Sequence, residues 1–400
     1  MPTAQAMTIQ GIQVPAAVVD PQAFFANVRR QRFTQKSQGS IAGFGESDQF
    51  SLVQSGIIGA VDIRVTGTIT VTLGVTPGTC ATTNRWPYGL IKRAKLSANN
   101  MSNLINADGW MLRARELART PGLTDRGISQ SVNGATVTEG TLSYAEDSWG
   151  VGSGASGIAS GTYDVQFSVR MPVAFDLELL GGALFAQTSA TDLAFELDYA
   201  NEADLFILAS GATVTQNLKY FVDGVVFNIP RGPNGEIVIP DLSVFHSFVQ
   251  SNATNLAEVQ NEVTLAGQGV GKQLLGVFWR WYNGASNTND TFTAVNDTNW
   301  GQLAWGYGGN EIPETYASGG VLAAENERNY GSDMGLAGIG VFDWASHWAF
   351  RDSIDMGSAT QLRLFMTPTV TCNAGNVLEY GQEIIIPGTA AGAVGAASTV

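Results

Sequence analysis

Three features of this sequence predict an all-β chain of two tandem eight-stranded antiparallel jelly rolls, with short inserted helices and an N-terminal helix. β-Branched and aromatic residues recur in short runs separated by Gly, Asn, Ser and Pro, the punctuation of strands and turns. The stretch 61–73 alternates apolar and polar residues almost without fault, the period of a half-buried strand. Near residue 231 one run of strand patterns ends at a tight turn and a second run begins.

The bulk figures agree with that class and exclude others. Four hundred residues with 44% hydrophobic content can bury a sizeable core, and the length suits two or three domains of ordinary size. Glycine is abundant at 47 residues and only 14% of residues are charged, so turns are many and much of the surface is neutral. A formal charge of −14 argues against direct extensive nucleic-acid contact, because counterion release from phosphates needs concentrated Lys and Arg. Cys80 and Cys372 stand far apart, so there is no disulfide framework or thiolate metal cluster, and both are expected as free thiols. No segment approaches the roughly 20 continuous apolar residues of a membrane span. Residues 1–7 lack the basic start and apolar core of a secretory signal, so the chain is expected to be made and folded inside a cell.

Residues 1–19 are small and polar with no period, the pattern of a mobile arm. Asp20 and Pro21 place an N-cap before a first-turn proline and open a short helix through Phe24, Phe25, Val28 and Arg32, with Gly39 beyond its end. Arg29, Arg30, Arg32 and Lys36 form the densest basic cluster, and no acid lies between Asp20 and Glu46. The cluster is either a solvated helix face or an attraction to an anionic surface, lipid headgroups or nucleic acid. In 61–73, Val61, Ile63, Val65, Ile69, Val71 and Leu73 take one face, while Asp62, Arg64, Thr66, Thr68, Thr70 and Thr72 take the other. Further strands are expected over 88–96, 141–144, 163–171, 177–185, 193–199 and 213–227. One helix interrupts them over 108–119, capped by Asp108 and stopped by Pro121 and Gly122.

The seam follows. Phe227 and Ile229 close a strand, 232–235 (Gly-Pro-Asn-Gly) supplies a tight turn, 236–239 resumes an extended run, and a helix is expected after Pro240 with Asp241 or Ser243 as its cap. Such a segment is either one more hairpin within a single β domain or a boundary between two. The second half repeats the grammar, with strands expected over 262–265, 273–282, 302–306, 338–342, 361–367 and 377–386 and a helical piece within 321–329. The resulting division is an arm and basic helix at 1–40, a first jelly roll at 41–230, a second at 231–386, and a low-complexity flexible tail at 387–400.

No catalytic, cofactor-binding or metal-ligating constellation stands out. The two histidines, His246 on an amphipathic run and His347 among Trp344, Trp348 and Phe350, read as packing residues. The run 152–157 matches a dinucleotide fingerprint in letters, yet a strand follows it where a helix is needed, so it reads as a flexible loop. Trp279, Trp281, Tyr282, Trp300 and Trp305 could stack on sugars beside paired carboxylates, the pattern of a carbohydrate-binding or glycan-cleaving β protein such as a virion spike. The alternative is core and subunit-interface packing.

Two stretches carry a family likeness. Met171-Pro-Val-Ala-Phe-Asp-Leu-Glu-Leu-Leu-Gly-Gly-Ala-Leu-Phe-Ala-Gln187, continuing to Leu193-Ala-Phe-Glu-Leu-Asp-Tyr-Ala-Asn201, resembles a signature stretch of the tectivirus-type double jelly-roll major capsid proteins. Gly232-Pro-Asn-Gly-Glu-Ile-Val-Ile-Pro-Asp-Leu-Ser243 resembles that family's junction between jelly rolls, and Gly109-Trp110 matches a Gly-Trp pair leading into a helix. The resemblance covers residues 20–250 in order; beyond them only the pattern of elements matches. It implies a non-enzymatic major capsid protein, without cofactor, made in a host cytoplasm and built into a virion. Its homotrimers would form pseudo-hexagonal capsomers that tile an icosahedral shell with vertex or penton and minor capsid proteins, over an internal membrane. There Arg29, Arg30, Arg32 and Lys36 would face lipid headgroups.

Overall fold

The computed structural model describes residues 7–9, 12–14, 28–74, 78–98, 101–119, 148–149, 156–177, 180–186, 192–229, 244–265, 271–284, 299–307, 311–330, 339–345, 353–357 and 362–387. Two short strands, β1 (Met7–Ile9) and β2 (Ile12–Val14), pair as an antiparallel hairpin. The first half continues with β3 (Arg30–Ser40), β4 (Ser47–Ser51), β5 (Ile57–Thr72), β6 (Thr79–Thr82), β7 (Ile91–Ala98), β8 (Met101–Ala107) and helix α1 (Gly109–Arg119). It closes with β9 (Ser148–Trp149), β10 (Gly161–Pro172), β11 (Leu184–Phe185), β12 (Leu193–Tyr199), the single turn α2 (Glu202–Leu205), β13 (Phe206–Ala209) and β14 (Thr213–Phe227). The second half opens with β15 (Val244–Thr254), β16 (Asn261–Thr264), β17 (Gln273–Tyr282), β18 (Gln302–Tyr307), β19 (Glu311–Tyr316) and helix α3 (Gly319–Tyr330). It ends with β20 (Ile339–Asp343), β21 (Ile354–Asp355), β22 (Leu362–Thr367) and β23 (Val377–Pro387).

Strand order shows the same eight-stranded design twice. In the first half β3-β14-β5-β10 form one sheet and β8-β7-β12-β4 the other; in the second, β15-β23-β17-β20 face β16-β22-β18-β19. In each half the helix follows the fifth strand of the eight and precedes the sixth, so α1 and α3 occupy equivalent places. This is the jelly-roll arrangement that closes two antiparallel sheets on one core. The two barrels are not separate beads. β8 of the first pairs in parallel with β15 of the second, Ile105 opposite Phe248 and Asn106 opposite Val249, so one sheet runs through both halves.

The long strand forms as its period demands. Val61, Ile63, Val65, Ile69 and Val71 are buried, Arg64 and Thr72 are exposed, and β5 lies between β14 and β10 over nearly its whole length. The core between the first two sheets is fixed by cross-layer rings, with Tyr88 5.4 Å from Phe167. The second core holds Trp279 4.2 Å from Trp300 and Trp305 6.1 Å from Phe342. β17 is apolar on both faces because both are covered. Val277, Trp279 and Trp281 enter the second core, while Phe278 joins the first core and Arg280 lies 4.3 Å over the Trp110 ring.

Helix α1 starts where Asp108 caps it, the Met111 amide donating to Asp108 Oδ1 at 2.8 Å. Three expectations fail. The expected N-terminal helix does not extend through Arg32: Arg30–Ser40 is the strand β3, hydrogen-bonded along β14, and residues 20–27 lie outside the described residues. The expected helix after Pro240 is instead β15 from Val244 onward, held between β23 and β8. The expected strand at 177–185 shrinks to Leu184–Phe185, because 173–177 turns away and Phe175 closes a loop by donating its amide to the Gly181 carbonyl at 2.8 Å. The turn at 232–235, the strand at 141–144 and the tail at 388–400 lie outside the described residues.

Candidate functional site

The basic cluster sits on and beside the free edge of the first outer sheet. Arg29 precedes β3 and its amide donates to the Asn228 side chain; Arg30, Arg32 and Lys36 lie on β3. Arg29 and Arg30 are exposed, while Lys36 is half-buried with its ammonium 5.2 Å from the Phe50 ring. The Arg32 side chain is 60% exposed but engaged, donating Nε–H to Asp223 Oδ2 at 2.9 Å with Asp62 Oδ2 3.7 Å away. Asp62 in turn accepts from Arg170 Nε at 2.7 Å, so across four neighbouring strands two central acids are flanked by an arginine on either side. Cations on an edge strand also discourage uncontrolled strand addition.

A second charged site, missed by the sequence reading, is buried where the halves meet. Glu383 on β23 is fully buried and accepts from Arg115 Nε at 2.7 Å, Arg119 Nη2 at 2.6 Å and Arg119 Nε at 2.9 Å, both arginines reaching over from α1. Arg119 also donates to Asp343 at 2.7 Å, and the Tyr330 hydroxyl donates to the same carboxylate at 2.6 Å. Burial pushes the Glu383 carboxyl up, but Arg115 and Arg119 outweigh it and hold the group well below the usual carboxylate range. His246 sits wholly inside the same cluster, Nε2 at 3.0 Å from Glu383 and Nδ1 at 2.9 Å from the Pro172 carbonyl. Its burial pushes the imidazole down from its ordinary value against the pull of both acceptors.

A neighbouring set repeats the arrangement. Arg85 bonds Glu379 of β23, Asp108 accepts from Gln250 of β15 at 2.9 Å, and the Asp108 amide donates to Gln250 Oε1 at 2.7 Å. Each pair joins the first half to the second. The chemistry is that of a joint: opposite charges paired across the seam and buried from water, which fix one orientation of two barrels. The signal in the sequence was Glu379 and Glu383 inside a strand with no other charge, and a helix carrying Arg113, Arg115 and Arg119.

The aromatic residues that could have stacked on sugars are all in the interior, Trp279, Trp281, Tyr282 and Trp305 at 0% exposure and Trp300 at 1%. As folded they present no face to a glycan, and their packing role is the one observed. His246 is the packing residue expected, with a charged partner added; His347 lies outside the described residues. Cys80 is buried and Cys372 half-buried, both as free thiols. Among the described residues no group of His, Cys, Asp and Glu side chains is placed to hold a metal, and no helix is long and apolar enough to cross a membrane.

Solved structures carry the same fold. The crystal structure of the major capsid protein of Sulfolobus turreted icosahedral virus matches 90% of this chain and 97% of its own, at 14% identity and a TM-score of 0.62. The PBCV-1 virus capsid matches 90% of this chain and 94% of its own at 11% identity and a TM-score of 0.54. The Faustovirus major capsid protein covers 90% of each chain at 9% identity and a TM-score of 0.54. No family model and no curated protein matches the sequence. The fold is therefore that of the double jelly-roll major capsid proteins, the class that the resemblance at 171–201 and 232–243 implies.

Proposed function

We propose that this chain is a major capsid protein, three copies of which join as a pseudo-hexagonal capsomer of six jelly rolls that tiles an icosahedral virion shell. One observation carries the reading: the same eight-strand order occurs twice and is fused through one continuous sheet, in a chain whose fold matches those capsid proteins over 90% of its length. A sealed joint suits a shell subunit, since two barrels held rigidly give a fixed shape for tiling. In this reading the work is done by interfaces and needs no active site, and vertex or penton and minor capsid proteins complete the shell. The domain division is part of the same proposal, with the first jelly roll begun at β3 (Arg30–Ser40) rather than at residue 41 and the second kept at 231–386. Its first test is mass in solution. Purified protein is expected at about 127 kDa, three chains of 42.3 kDa; a stable monomer that joins no particle would sink the reading.

Arg29, Arg30, Arg32 and Lys36 are proposed to face an internal membrane, each contributing about 1 kcal/mol near an anionic surface. Arg32 contributes least, because Asp223 already engages it. Replacing Arg29, Arg30 and Lys36 by Gln is expected to weaken flotation with phosphatidylserine vesicles by well over tenfold. Unchanged flotation would remove the membrane role, and salt-sensitive DNA binding without vesicle binding would assign the cluster to nucleic acid.

A further inference from the structure

The two helices in equivalent places differ in one respect. In α1, nine of eleven residues are buried; in α3, only Gly319, Leu322 and Asn326 of twelve. The reason α1 is covered is visible: the second jelly roll lies against it, with β15 on β8 and Glu383 receiving its arginines. Among the described residues no jelly roll lies against α3 in the same way. The strands follow suit. β19 is the free edge of its sheet, as β8 would be without β15, and β3 is the free edge of the first sheet, as β15 would be without β8.

Resting on the capsid reading above, we propose that the joint inside the chain is repeated between chains: β19 of one copy pairs in parallel with β3 of the next, and α3 seats against that copy's first jelly roll. Three such contacts, all head-to-tail, close a ring of six barrels. β15 and β3 are both 11 residues long, and β15 pairs through its fifth and sixth residues. The counterparts in β3 are Thr34 and Gln35. β8 pairs through the two residues before its last, whose counterparts in β19 are Glu314 and Thr315.

Surface chemistry agrees with this occupant. The described residues hold five exposed large apolar side chains. Phe33 lies on β3, and Val53 is hydrogen-bonded through its amide to Gln35 of the same strand; Ile312 lies on β19 and Val321 on α3. Four of the five thus fall on the two surfaces that the repeated joint would bring together. The charges are compatible as well: β3 carries no acid to oppose the two glutamates of β19 or Glu325 and Glu327 of α3.

The test is a disulfide across the proposed contact. Gln35→Cys with Thr315→Cys, in a Cys372→Ser background, places thiols on counterpart residues whose Cα separation in a strand pair suits a disulfide. Mild oxidation of the purified full-length protein is expected to give linked dimers and closed trimers on a non-reducing gel, with neither single variant linking. Gln31→Cys with Thr315→Cys is expected to link poorly, since the register is displaced. Val321→Arg, on the surface of the single chain, is expected to raise the trimer dissociation constant at least tenfold while leaving the monomer's melting temperature unchanged. A 127 kDa trimer in which both thiols react with maleimide yet do not link, and in which Val321→Arg changes nothing, overturns the proposed contact and leaves the capsid reading standing. A protein that is only monomeric overturns both.

Discussion

At the junction two guanidiniums and an imidazole converge on the Glu383 carboxylate, so removing its charge leaves Arg119 with Asp343 alone and Arg115 with the Phe175 carbonyl. Glu383→Gln is expected to cost about 3–5 kcal/mol, as for other buried pairs broken on one side, read as a lower thermal midpoint at pH 7. The pH dependence follows from the direction of the shift. Glu383 is held well below its usual range, so its stabilisation is complete above the unfolded value of about 4.3 and fades as pH falls through the folded one. The gap in melting temperature between wild type and variant should therefore be constant from pH 7 to 5 and shrink below about pH 4; a constant gap down to pH 3 would place the charge elsewhere. Glu379 and Glu383 were visible in the sequence as the two charges of a mostly apolar strand, but their partners were not. Arg115 lies 268 residues from Glu383, and periodicity within a strand says nothing across such a distance.

Among the elements, the loop before β11 meets the second half through a glycine that cannot be replaced. Gly182 has φ +78, and a Cβ there would lie 2.6 Å from the His246 Cβ. Gly182→Ala is expected to destabilise the protein by about 1–3 kcal/mol, from the positive φ and the displaced β15 together. Trp281→Ala, which empties a fully buried site in the second core, should cost about 3–5 kcal/mol in thermal or denaturant unfolding. If instead Trp281→Ala left stability unchanged and abolished glycan binding, the carbohydrate reading would return. The elements that the sequence made legible are those with a two-residue period or a capped helix: β5, β10, β12, β14, β17 and α1 fall where expected. β3 was misread as helix because its residues are mostly exposed and no apolar alternation marks it; an edge strand paired on one side needs none. β15 was misread because a cap-like Asp and Ser follow a proline, a local signal overridden by pairing on both sides with β23 and β8.

For the whole molecule, the central claim is that one chain supplies two of six equivalent barrels. The duplication was legible as two runs of strands about residue 231, and the likeness at 232–243 gave it a meaning. The fusion of the barrels through β8 and β15 was not, because a parallel pairing of two residues in each strand leaves no pattern in composition. Nor did the sequence distinguish α1, which has the second barrel beside it, from the more exposed α3. A low-resolution electron-microscopy average of the purified oligomer, viewed down its symmetry axis, tests the claim most directly. The account predicts six barrels of similar size in one closed ring with threefold symmetry, the three in-chain and three between-chain junctions alike. A particle with two barrels only, or three two-barrel units that touch by any other surface, would contradict it.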